Sequence, residues 1–437
     1  MEENATFTPK YDLHLEQSLL GCWMSEPTGK LYILAQLDSN DFYFDEHVVI
    51  ANAIEQMVKE GEKLDYLTVA SKLKSEGKLD RVGGESYLKS LVEMVPVTTN
   101  VECYRDDLAD MAHIRKMGLA AHDAFEMSVS PGANSRAIEK VLVDGLAYHE
   151  SENTVSAFQV AIELLQDMER GKAPPVPHSG LFGLDGLLWG FQPSQMYTIA
   201  ARMSVGKTSL LSWIAMSAAF AKFPVLYISM EMSRKMVGLR MVSAIGKVDL
   251  LKYINHEFDD DELVRSVNAK QKLSELPIYF ASNKRRTVDD AILMMRREKI
   301  LHHISVVAID YLQLLHDGSH ESRVNELDAI SGKLKAAAIE LDVALICAVT
   351  ANRGSLAEKR GVGIGDIRGS DSIAYDADVA LTMDTNLERI SPGGNVLPQG
   401  VDKIDLKVVK NRNGKTGDLV VYFDKRYQRW SDNAPEV

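Results

Sequence analysis

The chain has 437 residues, 46% of them hydrophobic and 25% charged, a composition that suits a globular protein with a sizeable core and two or three domains. Acidic residues outnumber basic ones, 62 to 49, for a formal charge of −13, so a surface coated in positive charge is excluded and any nucleic-acid contact must come from a local basic patch. Cys22, Cys103 and Cys347 are scattered, which excludes a zinc ribbon, a Cys-x-x-Cys redox pair and a disulfide framework and suits a reducing compartment. The opening MEENATFTPKYDLH lacks a basic start followed by an apolar run, and no run of 18 apolar residues occurs, so a cytoplasmic protein without membrane contact is expected.

Residues 1–150 read as an all-α block. HLEQSLLGCWM (14–24) puts Leu15, Leu19, Cys22 and Trp23 on one helical face. HVVIANAIEQMVKEG (47–61) does the same with Val48, Ile50, Ile54 and Met57, and Gly61 is a C-cap candidate. A short helix over LTVASKLKSEGKL, a long one from Glu102 to about Met127 and another near 135–149 follow, the last two separated by Pro131-Gly132. Residues 151–180 read as a linker: an apolar stripe of Val155, Phe158, Ala161, Ile162, Leu165 and Met168, then the proline-rich RGKAPPVPHSG. The stripe fits a helix packed on its own subunit, or a mobile linker docked on a neighbour.

From 181 to 437 short strands alternate with helices. Strands are expected at 195–201, 224–229, 276–282, 304–310 and 343–349. ISVVAID (304–310) is continuously apolar, as in a parallel strand buried on both faces. KIDLKVVK and DLVVYF flank NRNGKTG, whose Asn-Gly step marks a turn between antiparallel strands. The class is therefore α/β with a mainly parallel sheet.

AARMSVGKTSLL carries the strongest chemical signal. Its Gly206-Lys207-Thr208 stands between a strand and a helix, where backbone N–H groups point at phosphates and the helix dipole favours negative charge. Ser204, Val205, Gly206, Lys207, Thr208 and Ser209 are the candidate nucleotide-binding residues of such a P-loop. Lys207 would reach the β- and γ-phosphates of ATP, and the Thr208 hydroxyl would ligate Mg²⁺. The usual first glycine of the motif is Ala201 here. Asp310 closes the buried strand 304–310 and would join Thr208 in holding Mg²⁺; a capping role for the next element is the alternative. Glu231, at the end of PVLYISME, is a candidate base for the attacking water, or simply a glutamate in a helix's first turn. Lys410 and Arg412 lie one residue apart in KNRNG and point the same way on a strand. They would supply a finger to a neighbouring subunit's phosphate, or form an exposed hairpin tip. The glycine-rich stretch 351–371 holds Arg353, Lys359, Arg360 and Arg368 and no aromatic residue. As a basic loop it would touch nucleic-acid phosphates without reading sequence, or be merely solvated.

Taken together these blocks resemble the DnaB-like replicative helicases, hexameric RecA-fold motors driven by ATP, over nearly the whole chain. HLEQSLLGCW, HVVIANAIEQMVKEG, DYLTVASKL and GGESYLKSL are similar to that family's helical N-terminal domain. SGLFGLDGLLWGFQPSQMYTIAARMSVGKTS is similar to the lead-in and P-loop of its motor domain, in which the first glycine is commonly alanine. YISMEMSRKMVGLRM resembles the segment whose glutamate polarises water, which implies the base role for Glu231. VVAIDYLQL resembles the Walker B strand and implies the metal role for Asp310. KNRNGKTG resembles the segment that crosses the subunit boundary, which implies trans roles for Lys410 and Arg412. DIRGSDSIAYDADVAL resembles the DNA-contacting loop and the strand after it, which implies that Arg368 is a candidate phosphate contact.

Two departures stand out. The family's glutamine that senses the γ-phosphate and relays to DNA aligns with Thr350, an uncertain sensor. The loop's Glu-Ser-Gly is Gly369-Ser370-Asp371, as suits a divergent, phage-type member. The resemblance implies a RecA-like ATPase domain behind an all-α N-terminal domain. It implies a homo-hexameric ring moving 5′ to 3′ on single-stranded DNA, unwinding forked DNA and working with a primase and a loader. A filament-forming RecA-like recombination or repair ATPase, and a KaiC-like nucleotide-gated assembly switch, are the alternatives.

Overall fold

In the computed structural model, residues 9–25, 38–60, 62–94, 101–146, 157, 174–281, 287–318, 322–351, 371–386 and 396–435 are described. The chain forms two compact units, Met1–Ala173 and Pro174–Val437.

The described part of the first unit is helical. Its helices are α1 (Leu13–Ser25), α2 (Asp45–Glu60), α3 (Tyr66–Ser75), α4 (Gly84–Glu93), α5 (Val101–Val129) and α6 (Ser135–Leu146). The expected stripes form its core: Leu19, Cys22 and Trp23 of α1 pack with Ile50, Ile54 and Met57 of α2. Asp65 caps α3 in a reciprocal box with Thr68, which accounts for that helix starting where it does. The same face of α1 also buries Glu16, which no apolar pattern announces. Its carboxyl group accepts from Tyr43 N at 2.7 Å and lies 2.7 Å from His47 Nδ1, so this buried polar group has hydrogen-bond partners. The expected linker stripe at 155–168 and the C-cap at Gly61 lie outside the described residues.

The second unit is a three-layer α/β domain built on one sheet. Its strands are β1 (Met196–Ala201), β2 (Val225–Ser229), β3 (Ile278–Ala281), β4 (Val306–Asp310), β5 (Ala344–Thr350), β6 (Val379–Asn386), β7 (Val401–Asn411), β8 (Gly417–Asp424) and β9 (Arg429–Ser431). They run in the order β3-β2-β4-β5-β1-β6-β7-β8-β9. β3 through β6 in that order are parallel, and β6 to β9 are antiparallel. The expected hairpin around Asn413-Gly414 is thus present as β7–β8.

Successive residues of the parallel strands face opposite layers. Tyr197, Ile199, Tyr227, Ala308 and Ile346 pack with Leu210, Leu211 and Ile214 of α8 (Lys207–Phe220). Met196, Ala200, Ile228, Ile309 and Cys347 face Met295 of α12 (Val288–His302) and Leu334 of α13 (Arg323–Glu340). Burial on both faces is why these strands read as continuous apolar runs. Between α8 and α12 stand α9 (Arg234–Gly246), α10 (Leu250–Asn255) and α11 (Asp260–Ser274); α7 (Phe182–Leu188) precedes β1, and α14 (Asp371–Asp376) precedes β6.

Candidate functional site

The carboxyl ends of the parallel strands converge on a cavity of about 750 Å³ in the second unit. Open parallel sheets place ligands at that edge because loops and helix N-termini meet there. Ser204, Gly206, Lys207, Thr208, Ser209, Glu231 and Thr350 line it. Val205 does not: its side chain is in the core, so only its backbone is free to face a ligand.

The loop between β1 and α8 is shaped by two left-handed residues, Ser204 at φ 66° and Gly206 at φ 112°. A Cβ at Gly206 would also come within 3.1 Å of both Phe423 and Trp430, which stack with ring centroids 4.6 Å apart. Glycine is needed here for conformation and for close approach alike. Trp430 Nε1 donates to Ser209 Oγ at 3.2 Å and so ties the sheet's last strand to the first turn of α8.

Lys207 Nζ donates to Ala201 O at 2.7 Å and to Arg202 O at 3.2 Å. Its ammonium is tucked into the loop, and burial holds its pKa below the ordinary lysine value. Arg202 itself pairs with Asp384 of β6. Thr208 Oγ1 donates to Asp310 Oδ1 at 3.3 Å, and Tyr227 Oη donates to Oδ2 at 3.5 Å. Asp310 is almost fully buried, and that burial pushes its carboxyl up to about 6, with the Glu231 charge adding to the rise. Burial raises Tyr227 well above the ordinary phenol range, so it remains a donor.

A hydroxyl and a carboxylate side by side are hard oxygen donors of the kind that hold Mg²⁺ with nucleotide phosphates and water completing the shell. A divalent cation would also relieve the cost of the charged, buried Asp310. The pair therefore fits the expected metal. Among the described residues no cluster of three or more His, Cys, Asp or Glu side chains offers an all-protein metal cage.

Arg240 and Gln313 are among the cavity-lining residues that escaped the motif reading. Arg240, nine residues after Glu231 on α9, lines the cavity, and among the described residues its Nη1 is buried without a hydrogen-bond partner. Its charge acts on Tyr227, Asp310 and Glu231. Gln313, three residues past Asp310, lines the cavity too and bonds the Thr350 backbone. Neither residue belongs to a periodic pattern, and only the distance along the chain from Glu231 and Asp310 hinted at them.

Lys410 and Arg412 do not line this cavity. Lys410 Nζ donates to Ala374 O at 3.0 Å and Tyr375 O at 2.5 Å; Arg412 donates to Asp378 Oδ1 and Tyr375 O, both at 3.2 Å. Arg353, Lys359, Arg360 and Arg368 lie outside the described residues.

Residues 177–432 match the model of the DnaB-like helicase C terminal domain, and residues 8–110 that of the DnaB-like helicase N terminal domain. The chain belongs to the DnaB-like helicase family. It is similar to the replicative DNA helicase DnaB of Leifsonia xyli subsp. xyli, 31% identical over 446 residues that span 98% of this chain and 95% of that one. It is 29% identical to the replicative DNA helicase DnaB of Geobacillus stearothermophilus, over 97% of this chain and 94% of the other. A solved DnaB-like replicative helicase, studied with its interactions with primase, shares the fold: TM-score 0.61, 23% identity, 96% of this chain and 99% of that one. A second solved chain, an ATPase domain, gives a TM-score of 0.57 at 24% identity, over 64% of this chain and 99% of that one. The DnaB-like chain is thus an ATP-dependent replicative DNA helicase, as the resemblance of its sequence blocks implied. No helix among the described residues is long and apolar enough to cross a membrane.

Proposed function

We propose that this DnaB-like helicase works as a cytoplasmic homo-hexameric ring that hydrolyses ATP between subunits, moves 5′ to 3′ on single-stranded DNA and opens forked DNA. The observation that carries the reading is the separation of the two charge sets. Lys207, Thr208 and Glu231 line one cavity, with Asp310 buried against Thr208, whereas Lys410 and Arg412 sit together outside it. A cationic pair outside its own cavity supports the reading that it serves a neighbour's.

In this mechanism Lys207 leaves its carbonyl partners for the β- and γ-phosphates as a point charge. Thr208 and Asp310 would hold Mg²⁺, which supplies charge neutralisation on the phosphates. Glu231 orients a water toward the γ-phosphorus and accepts its proton; the bond from that phosphorus to the ADP oxygen breaks, releasing ADP and phosphate. Arg412 of the adjoining subunit, beside Lys410, offsets the negative charge that develops on the transferring group. Arg353, Lys359, Arg360 and Arg368 are proposed as the DNA phosphate contacts, 151–180 as the linker between the helical block and the motor domain, and primase and a loader as partners. Thr350 is too short to carry the glutamine's relay unaided.

The trans reading is tested by Arg412→Ala. Hydrolysis should fall by about 10³ or more while nucleotide binding is kept. Mixing Arg412→Ala subunits with Glu231→Gln subunits should restore turnover, because some interfaces then combine an intact Glu231 with an intact Arg412. No restoration would contradict shared sites.

A further inference from the structure

We infer that Asp378 is a positioning residue for the trans-acting Arg412, an inference that rests on the shared-site reading above. Asp378 stands between α14 and β6, with its side chain almost fully buried. Its carboxylate gathers three partners from three parts of the domain. Oδ2 accepts from Met196 N at 2.8 Å, at the start of β1, and from Lys335 Nζ of α13 at 2.6 Å. Oδ1 accepts from Arg412 Nη1 at 3.2 Å. The Asp378 carbonyl also accepts from Arg412 N at 3.0 Å.

The guanidinium is therefore fixed at backbone and side chain by one residue. Its Nη2 is held by Tyr375 O, and Lys410 is held by Ala374 O and Tyr375 O while lying 5.5 Å from the centre of the Tyr375 ring. Carbonyls at the end of α14 lack intrahelical partners, and cations complete them. A buried carboxylate bonded to the rigid start of a central strand is a firm anchor; an exposed hairpin tip without it would let a long arginine wander. Arg412 Nη1 reaches Oδ1 from a side chain about half exposed, so its remaining donors are left for a phosphate in the next subunit. Lys335 balances the carboxylate's charge, which lets Asp378 hold Arg412 without capturing all of its charge.

The inference predicts an effect on turnover that belongs to the subunit donating Arg412. A misplacement on the order of 1 Å costs up to about a hundredfold in rate, so Asp378→Asn should lower kcat about tenfold with the KM for ATP little changed. The decisive experiment uses full-length mixed rings of Glu231→Gln and Arg412→Ala subunits. In such rings the restored interfaces take Arg412 only from the Glu231→Gln subunits. Adding Asp378→Asn to those subunits should cut the restored turnover about tenfold, whereas adding it to the Arg412→Ala subunits should leave it unchanged. Equal loss from either side, no loss from either, or a rise in kcat overturns the inference. Failure of the parent mixture to regain activity overturns the shared-site reading instead, and this inference with it. Met295→Ala, which opens a cavity in the core under α12 and away from the Asp378 cluster, is the stability control: it should lower Tm at least as far as Asp378→Asn and keep kcat within about twofold of wild type.

Discussion

The side-chain amide of Gln313 clasps the backbone of Thr350: Thr350 N donates to Oε1 at 3.1 Å, and Nε2 donates to Thr350 O at 3.3 Å. The clasp joins the segment just past Asp310 to the carboxyl end of β5. The resemblance gives Thr350 the position of the family's sensing glutamine, yet its side chain is short. A glutamine is present all the same, supplied by the neighbouring strand's loop. Gln313→Leu removes both hydrogen bonds at similar size. Losing ~1.4 kcal/mol of positioning corresponds to about tenfold in rate. ATPase assays with and without single-stranded DNA should show the DNA-stimulated component falling by about that factor, with nucleotide binding kept. Unchanged stimulation would leave the clasp a purely structural contact.

Asp310 makes the nucleotide-free protein pH-sensitive in a defined direction. Its folded pKa, about 6, lies above the ordinary carboxylate value of 3.8 because burial disfavours the charge. The folded state thus binds the proton more tightly than the unfolded state. The resulting stabilisation is fully present below pH 3.8 and is lost as pH rises through about 6. At pH 7.5 the charged, buried carboxylate is a cost of about 3 kcal/mol at most. Asp310→Asn should therefore raise Tm at pH 7.5 in the absence of nucleotide and metal, with the gain shrinking as pH falls below about 6, while hydrolysis is lost. Denaturation curves of both proteins across that range check it; a lower Tm for the variant at pH 7.5 would speak against burial as the cause.

Gly206→Ala meets two obstacles. A φ of 112° lies where alanine is strained, and the new methyl would press on two stacked rings at 3.1 Å. Strain of this kind costs on the order of 1–3 kcal/mol. The loop must shift, and the phosphate cradle with it. Equilibrium binding of a fluorescent ATP analogue should weaken by at least about tenfold, which corresponds to 1.4 kcal/mol. Wild-type affinity would mean that the cradle does not depend on this backbone.

How much of this was legible in the sequence follows from range. The parallel strands announced themselves because burial on both faces demands unbroken apolar runs, and ISVVAID became β4 with Asp310 at its end. Lys207 and Thr208 were legible because a strand, a tight turn and a helix must follow in immediate succession. The β7–β8 turn was signalled by Asn413-Gly414. Long-range pairs left no such mark. Glu16 sits in an apolar stripe and is explained by Tyr43 N and by His47, 31 residues away; Asp378 is explained by Met196, 182 residues away. Arg240 reads as one more charge on a helix until its end is found buried beside Glu231 and Asp310. β9 is three residues long, too short for any period, yet it brings Trp430 against the P-loop.

Strand separation is the most direct test of the helicase mechanism. Forked DNA with only a 5′ or only a 3′ single-stranded tail is incubated with the protein, ATP and Mg²⁺, beside the Lys207→Ala variant. Unwinding is expected with the 5′ tail and not with the 3′ tail, and both unwinding and hydrolysis should be lost in Lys207→Ala. Unwinding from the 3′ tail, or a Lys207→Ala protein that hydrolyses ATP and unwinds like wild type, would contradict it.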